Sequence, residues 1–143
     1  MRSTTWIDSV GCTLLRLSLA VIFLWFGLLK LADLCPLAGF VCRSMPLLTP
    51  SLFLVLLGCW EAIIGACLLI RRLVPVALVM LLCHLPATAL PLVLLPEECF
   101  TRFPHGLTLE GQYIMKNLIL VSAVLVLIAR QVEPKPPTPV TDS

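Results

Sequence analysis

Charged residues are scarce in this chain. They make up 13% of its 143 residues, against roughly 25% in a typical soluble domain. Hydrophobic residues reach 59%, and a chain this short exposes too much of its surface to bury them all internally. The composition therefore excludes an ordinary soluble domain and indicates that lipid surrounds much of the protein.

The signatures of several enzyme classes are also missing. The sequence contains no glycine-rich phosphate loop, no G-x-S-x-G motif and no paired-histidine metal motif. Its seven cysteines form no C-x-x-C pair and no Cys/His pair at zinc-ligand spacing. We therefore predict no metal site and no cofactor, and favour a protein that is not an enzyme. The net charge of +2 is too small to indicate nucleic-acid binding.

The chain does contain four long apolar segments. They cover about residues 10–34, 51–70, 73–95 and 111–129. Each reaches the roughly 20 residues that a helix needs to cross a hydrocarbon layer about 30 Å thick. Lipid leaves no backbone group unpaired, and the segments lack the alternation of barrel strands. The sequence predicts an all-α integral membrane bundle of four transmembrane helices over residues 1–132, followed by a disordered proline-rich tail over 133–143.

The distribution of lysine and arginine predicts the orientation of these spans. Six of the ten lie on the side that holds both termini, and four lie on the other side. The six are Arg2, Arg16, Arg71, Arg72, Arg130 and Lys135, and the four are Lys30, Arg43, Arg102 and Lys116. The positive-inside rule then places both termini in the cytoplasm.

Two ionisable residues lie near the centres of spans. Glu61 falls about ten residues before the Arg71–Arg72 turn and His84 about twelve after it, so their depths differ by only about 3 Å. Gly58 and Gly65 flank Glu61 on a small-residue face that favours close helix packing. We expect the two side chains to meet inside the bundle. A buried Glu–His or Glu–Lys pair that only fixes helix register, and a proton-relay or ligand-binding site, remain alternative interpretations.

A second set of polar residues is predicted near the outer boundary of the membrane. Lys30 lies 14 residues from Arg16, and Lys116 lies 14 residues from Arg130. Both lysines therefore reach a similar depth, at which their charge can extend to the interface. The candidate partners there are Asp33, Glu110 and Asn117.

Three cysteines, Cys35, Cys42 and Cys99, fall on the predicted outer side. Disulfides persist in oxidising compartments, so this side would permit one bridge and leave one thiol free. A structural bridge and three free thiols are equally compatible with the sequence.

Two stretches of the chain resemble a known family. Residues 16–20 and 23–30 resemble the first span of the DoxX-like family of bacterial membrane proteins, and residues 107–118 resemble the start of its last span. Residues 58–65 occupy the place of that family's glutamate-bearing second span. Within that family the chain resembles the branch of YkgB-type proteins, and the resemblance covers about a third of the residues.

The resemblance implies a multi-pass protein of the bacterial cytoplasmic membrane. Some relatives are associated with thiosulfate:quinone oxidation and others with oxidative or reactive-chlorine stress. We therefore expect an accessory protein of a membrane redox or stress system, with the lipid bilayer, a redox partner protein or a second copy of the chain as partners. The alternatives are a quinone-linked oxidoreductase subunit and a small proton-linked transporter centred on Glu61 and His84.

Overall fold

Four helices long and apolar enough to cross a membrane dominate the computed structural model, which describes residues 2–36, 38–43 and 49–132. These spans are Trp6–Leu31, Pro50–Leu69, Arg71–Leu94 and Leu109–Gln131. The predicted all-α, four-span architecture is confirmed. The tail predicted for residues 133–143 lies outside the described residues.

The elements follow one another along the chain with short connections. The helices are α1 (Arg2–Leu31), α2 (Ala38–Arg43), α3 (Pro50–Leu69), α4 (Val74–Ala89), α5 (Pro91–Leu94), α6 (Pro96–Cys99), α7 (Leu109–Met115) and α8 (Asn117–Val132). A single 3-10 turn over Arg71–Leu73 joins α3 to α4, and the strands β1 (Phe100–Arg102) and β2 (Gly106–Leu107) precede α7.

The first helix differs from its predicted bounds of residues 10–34. It begins at Arg2, because hydropathy marks only the part of a helix that lies in lipid and not its polar extension. It ends at Leu31, where Asp33 adopts a left-handed backbone with φ of 58°. The N–H of Leu34 bonds to the carbonyl of Leu29, and that of Asp33 bonds to Lys30, which together form a Schellman stop.

The third and fourth spans are each divided. Helix α4 runs through Pro86 and ends at Ala89, just before Pro91, which starts the separate turn α5. Proline fits the first turn of a helix better than its interior, which explains this boundary. The fourth span is interrupted at Lys116, between α7 and α8. Predicting each as one continuous helix was therefore too simple.

A short antiparallel hairpin is the feature that the span pattern did not predict. Strands β1 and β2 pair Phe100 with Leu107 at the end of the bundle that also carries α2 and α6. A small core of Phe40, Cys99 and Ile114 lies beneath it. This compact cap joins the third span to the fourth.

The main core lies between the four spans and consists mostly of aliphatic side chains. Helix α1 packs along α3, and α4 packs against both α3 and α8. The buried residues of this core come from all four spans: Leu19, Ala20, Phe23, Ile64, Leu68, Val74, Ala77, Leu78, Leu81, Leu85, Ala123, Val124 and Leu127. These helices hold the polar residues described next.

Candidate functional site

Glycines allow α1 and α3 to approach until their backbones touch. A Cβ at Gly27 would lie 2.7 Å from both Ala62 N and Gly58 O. A Cβ at Gly65 would lie 2.7 Å from the backbone nitrogen of Leu24. Such small residues drive helix association in lipid, where apolar burial alone offers little. The small-residue face predicted around Glu61 is thus the contact surface with α1.

This close contact places Lys30 beside Glu61. The Lys30 Nζ donates to Glu61 Oε2 at 2.6 Å, and the two side chains are 6% and 8% exposed. A short, charge-assisted bond of this kind is strong when it is shielded from solvent. Lys30 is the penultimate residue of its span, but its charge points into the bundle instead of extending to the interface as expected. The reason is tertiary: Lys30 shares the buried stripe of Ala20, Phe23 and Gly27, which faces α3 rather than lipid.

His84 completes the group from the neighbouring helix α4. Its Nε2 lies 3.5 Å from Glu61 Oε1, and its side chain is 6% exposed. The structure thus brings Glu61 and His84 together, as their matched depths predict. We call Lys30, Glu61 and His84 the buried charge cluster. Its three members come from α1, α3 and α4, so it ties three spans together at one level.

Two aromatic rings lie next to members of the cluster. The ring of Phe23 meets His84 edge to face at 5.5 Å between centroids. The Nζ of Lys30 lies 5.9 Å from the centroid of Phe26, within range of a cation–π attraction. Phe26 in turn contacts Tyr113 of α7 at 6.0 Å. Sequence reasoning missed these rings as part of the site, although Phe23 lay on the same stripe as Lys30.

The other predicted polar residues of the fourth span stay apart from the cluster. The Asn117 Nδ2 donates to Thr88 Oγ1 at 2.9 Å, and the Thr88 hydroxyl donates to the carbonyl of Leu85 at 2.8 Å. Lys116 is exposed. Asn117 therefore links α8 to α4, and it is not the partner of Lys30 that the sequence suggested.

Glu110 belongs instead to the charged surface near the hairpin. There Arg43 forms a forked contact with Glu98, with its Nε 2.8 Å from Oε1 and its Nη2 2.6 Å from Oε2. The hydrogen bonds to Glu98 raise the pKa of Arg43, and the charge of nearby Glu110 adds to this effect. This pair joins α2 to α6 on an exposed surface, where such bridges contribute little to stability.

The structure describes no disulfide at Cys35, Cys42 or Cys99, the three cysteines predicted to lie on the outer side. Cys99 is fully buried, and its thiol donates to the carbonyl of Pro91. The thiol of Cys42 faces the carbonyl of Pro50, and Cys35 lies close enough to contribute to its raised pKa. The bridge predicted among these three cysteines stays a prediction, and the closeness of Cys35 to Cys42 favours that pair.

Chemically, the cluster offers an ammonium, a carboxylate and an imidazole in contact. Protons can move between such groups, and the pair of opposite charges can lock helix register. The comparisons with known proteins add no further assignment. The chain matches no family model, and no curated protein or solved structure gives a significant match.

Proposed function

We propose that this chain is a non-enzymatic accessory protein of a membrane redox or oxidative-stress system in the bacterial cytoplasmic membrane. The observation that carries the proposal is that protein encloses the buried charge cluster. Lys30, Glu61 and His84 are only 6–7% exposed, and Lys30 and His84 both contact Glu61. A catalytic group has to touch its substrate, and these three groups are covered by protein on nearly every side.

The redox setting rests on the resemblance to DoxX-like proteins. The two resembling segments that carry Lys30 and Glu61 are also the segments that meet at the glycine contact between α1 and α3. A pattern of this kind serves packing of the bundle as well as it serves chemistry. An accessory protein needs a rigid membrane bundle, and the charge cluster supplies rigidity by joining three spans.

The test is a purification in which a copurifying partner and its cofactor are identified. The tagged full chain is crosslinked in native membranes, solubilised in a mild detergent and analysed by mass spectrometry and visible absorption. We expect a membrane partner that carries flavin, haem or an iron–sulfur centre to copurify at a fixed ratio. A tagged membrane protein of similar size, expressed at the same level, is the control. The chain purified alone should not turn over a soluble quinone; turnover would instead favour the quinone-linked alternative.

The contact between Glu61 and His84 favours a second candidate, proton-linked transport. Two protonatable groups 3.5 Å apart at one depth in the bundle form the minimum of a relay. The test uses the full chain in proteoliposomes that contain a pH-sensitive dye. If protons pass through the cluster, Glu61→Gln should abolish flux without lowering the unfolding temperature. If the cluster is structural, no wild-type flux should appear, and Glu61→Gln should be better tolerated than Glu61→Leu.

A further inference from the structure

A groove lined by arginines lies at the end of the bundle away from the charge cluster. It has a volume of about 220 Å³ and lies between α1, the Arg71–Leu73 turn and α8. Arg16, Arg71 and Arg130 all line it, although they are far apart in the sequence. Arg16 precedes Lys30 by 14 residues, which places the groove about 21 Å along α1 from the cluster. The fold therefore gathers three positive charges at one site.

The hydrogen-bonding capacity of this groove is incompletely used. The Nε of Arg16 is buried and has no hydrogen-bond partner among the residues that the structure describes. A buried donor on a charged group is costly to leave without an acceptor. The carboxylate of Asp8 lies 3.3 Å from Nη2 of Arg130, and it balances one of the three guanidinium groups. Among the described residues, the groove thus holds more guanidinium groups than carboxylates, and one buried donor, the Nε of Arg16, has no acceptor.

We propose that this groove binds a phosphate group, either the phosphodiester of an anionic phospholipid or free phosphate. Guanidinium groups pair with phosphate oxygens through two parallel hydrogen bonds, and a tetrahedral phosphate can accept from several arginines at once. The volume is below the roughly 300–1,000 Å³ of pockets that enclose whole small molecules, so it suits a headgroup.

The position of the groove fits a ligand at the membrane surface. Arg71 opens the third span and Arg130 lies at the end of the fourth, so both are at the boundary of the apolar layer. Val74 and Leu127 form an apolar part of the lining beside the arginines. Basic pockets between transmembrane helices at this level are suited to anionic lipid headgroups.

The test measures thermal unfolding of the full chain in an uncharged detergent after lipid removal. One series adds mixed micelles of phosphatidylcholine with increasing phosphatidylglycerol, and the other adds inorganic phosphate at constant ionic strength. We expect a saturable rise in unfolding temperature. Arg71→Gln should raise the half-saturating concentration about tenfold, because it removes a charged hydrogen-bonding group from the site. Arg71 is exposed, so this substitution leaves the core intact.

Arg72→Gln is the matched control. Arg72 is the next residue in the same turn, has the same charge and is exposed, but it does not line the groove. It should leave half-saturation unchanged within about twofold, since it alters only long-range attraction. A response to phosphatidylglycerol alone identifies the lipid as the source, and an equal response to inorganic phosphate identifies the free ion. Equal losses in both variants, or no saturable response to either probe, would overturn the proposal.

Discussion

Lys30 and Glu61 are 31 positions apart in the sequence, yet their side chains form a 2.6 Å ion pair in which both are more than nine-tenths buried. The position of each residue within its own helix does not account for this pairing. The pair exists because α1 and α3 touch along Gly27 and Gly58, where any side chain would separate the backbones. Helix contact and charge pairing therefore depend on each other.

The first prediction concerns this dependence. Lys30→Leu or Glu61→Leu alone should each destabilise the bundle by about 3–5 kcal/mol, because each leaves a buried charge without its partner. Replacing both by leucine should recover much of the loss. The measurement is a double-mutant cycle on the free energy of unfolding in detergent. Strictly additive losses would show that the two side chains do not interact.

The second prediction tests the glycine contact. Gly27→Ala should cost about 1–3 kcal/mol, because the new methyl group overlaps backbone atoms that cannot move aside easily. Gly11→Ala is the matched control on the same helix: a Cβ there meets nothing within 4 Å. That substitution should be neutral or stabilising by up to about 1 kcal/mol, since alanine favours helix. Equal effects of the two substitutions on unfolding would contradict the close contact.

The third prediction concerns the outer thiols. Burial raises the pKa of Cys42 above its usual 9.0, and nearby Cys35 adds to this shift. Because the thiolate is the reactive form, alkylation of Cys42 at pH 8 should be slower than that of a free cysteine peptide, and its rate should continue to rise beyond pH 9. Cys99 is fully buried and should react only after unfolding.

These rates are measured by labelling with maleimide before and after reduction, followed by peptide mass spectrometry. It also tests the predicted bridge: Cys35 and Cys42 should gain label on reduction if membranes contain the disulfide. Complete labelling of both before reduction would exclude it. Labelling of Cys99 in the folded protein as fast as that of Cys42 would contradict the buried position of Cys99.

The fourth prediction concerns orientation. The six-to-four division of lysine and arginine between the two sides predicts that the C-terminus lies in the cytoplasm. Green fluorescent protein fused after Asp142 should therefore fluoresce, and alkaline phosphatase fused there should be inactive. A phosphatase fusion after Asp33, between the first two spans, is the control and should be active. The opposite pair of phosphatase results would reverse the orientation.

The sequence by itself determined the four apolar spans and the level of Glu61 and His84 within them. Span length follows from membrane thickness, and depth follows from the rise per residue along a helix. Both are local quantities, so they can be read without knowing how the helices pack. The small residues around Glu61 likewise indicated which face of α3 would meet a neighbour.

Only the tertiary structure decided the partners of the other polar residues. Lys30 has the length to reach either the membrane surface or the bundle interior, and the contact at Gly27 selected the interior. Asn117 donates a hydrogen bond to Thr88 rather than to a charged residue, because α8 packs against α4. Helix packing also brings Arg16, Arg71 and Arg130 together, so that they line one groove. Pairings of this kind depend on the rotation of each helix about its axis, which side-chain packing sets and the hydropathy of a single segment does not.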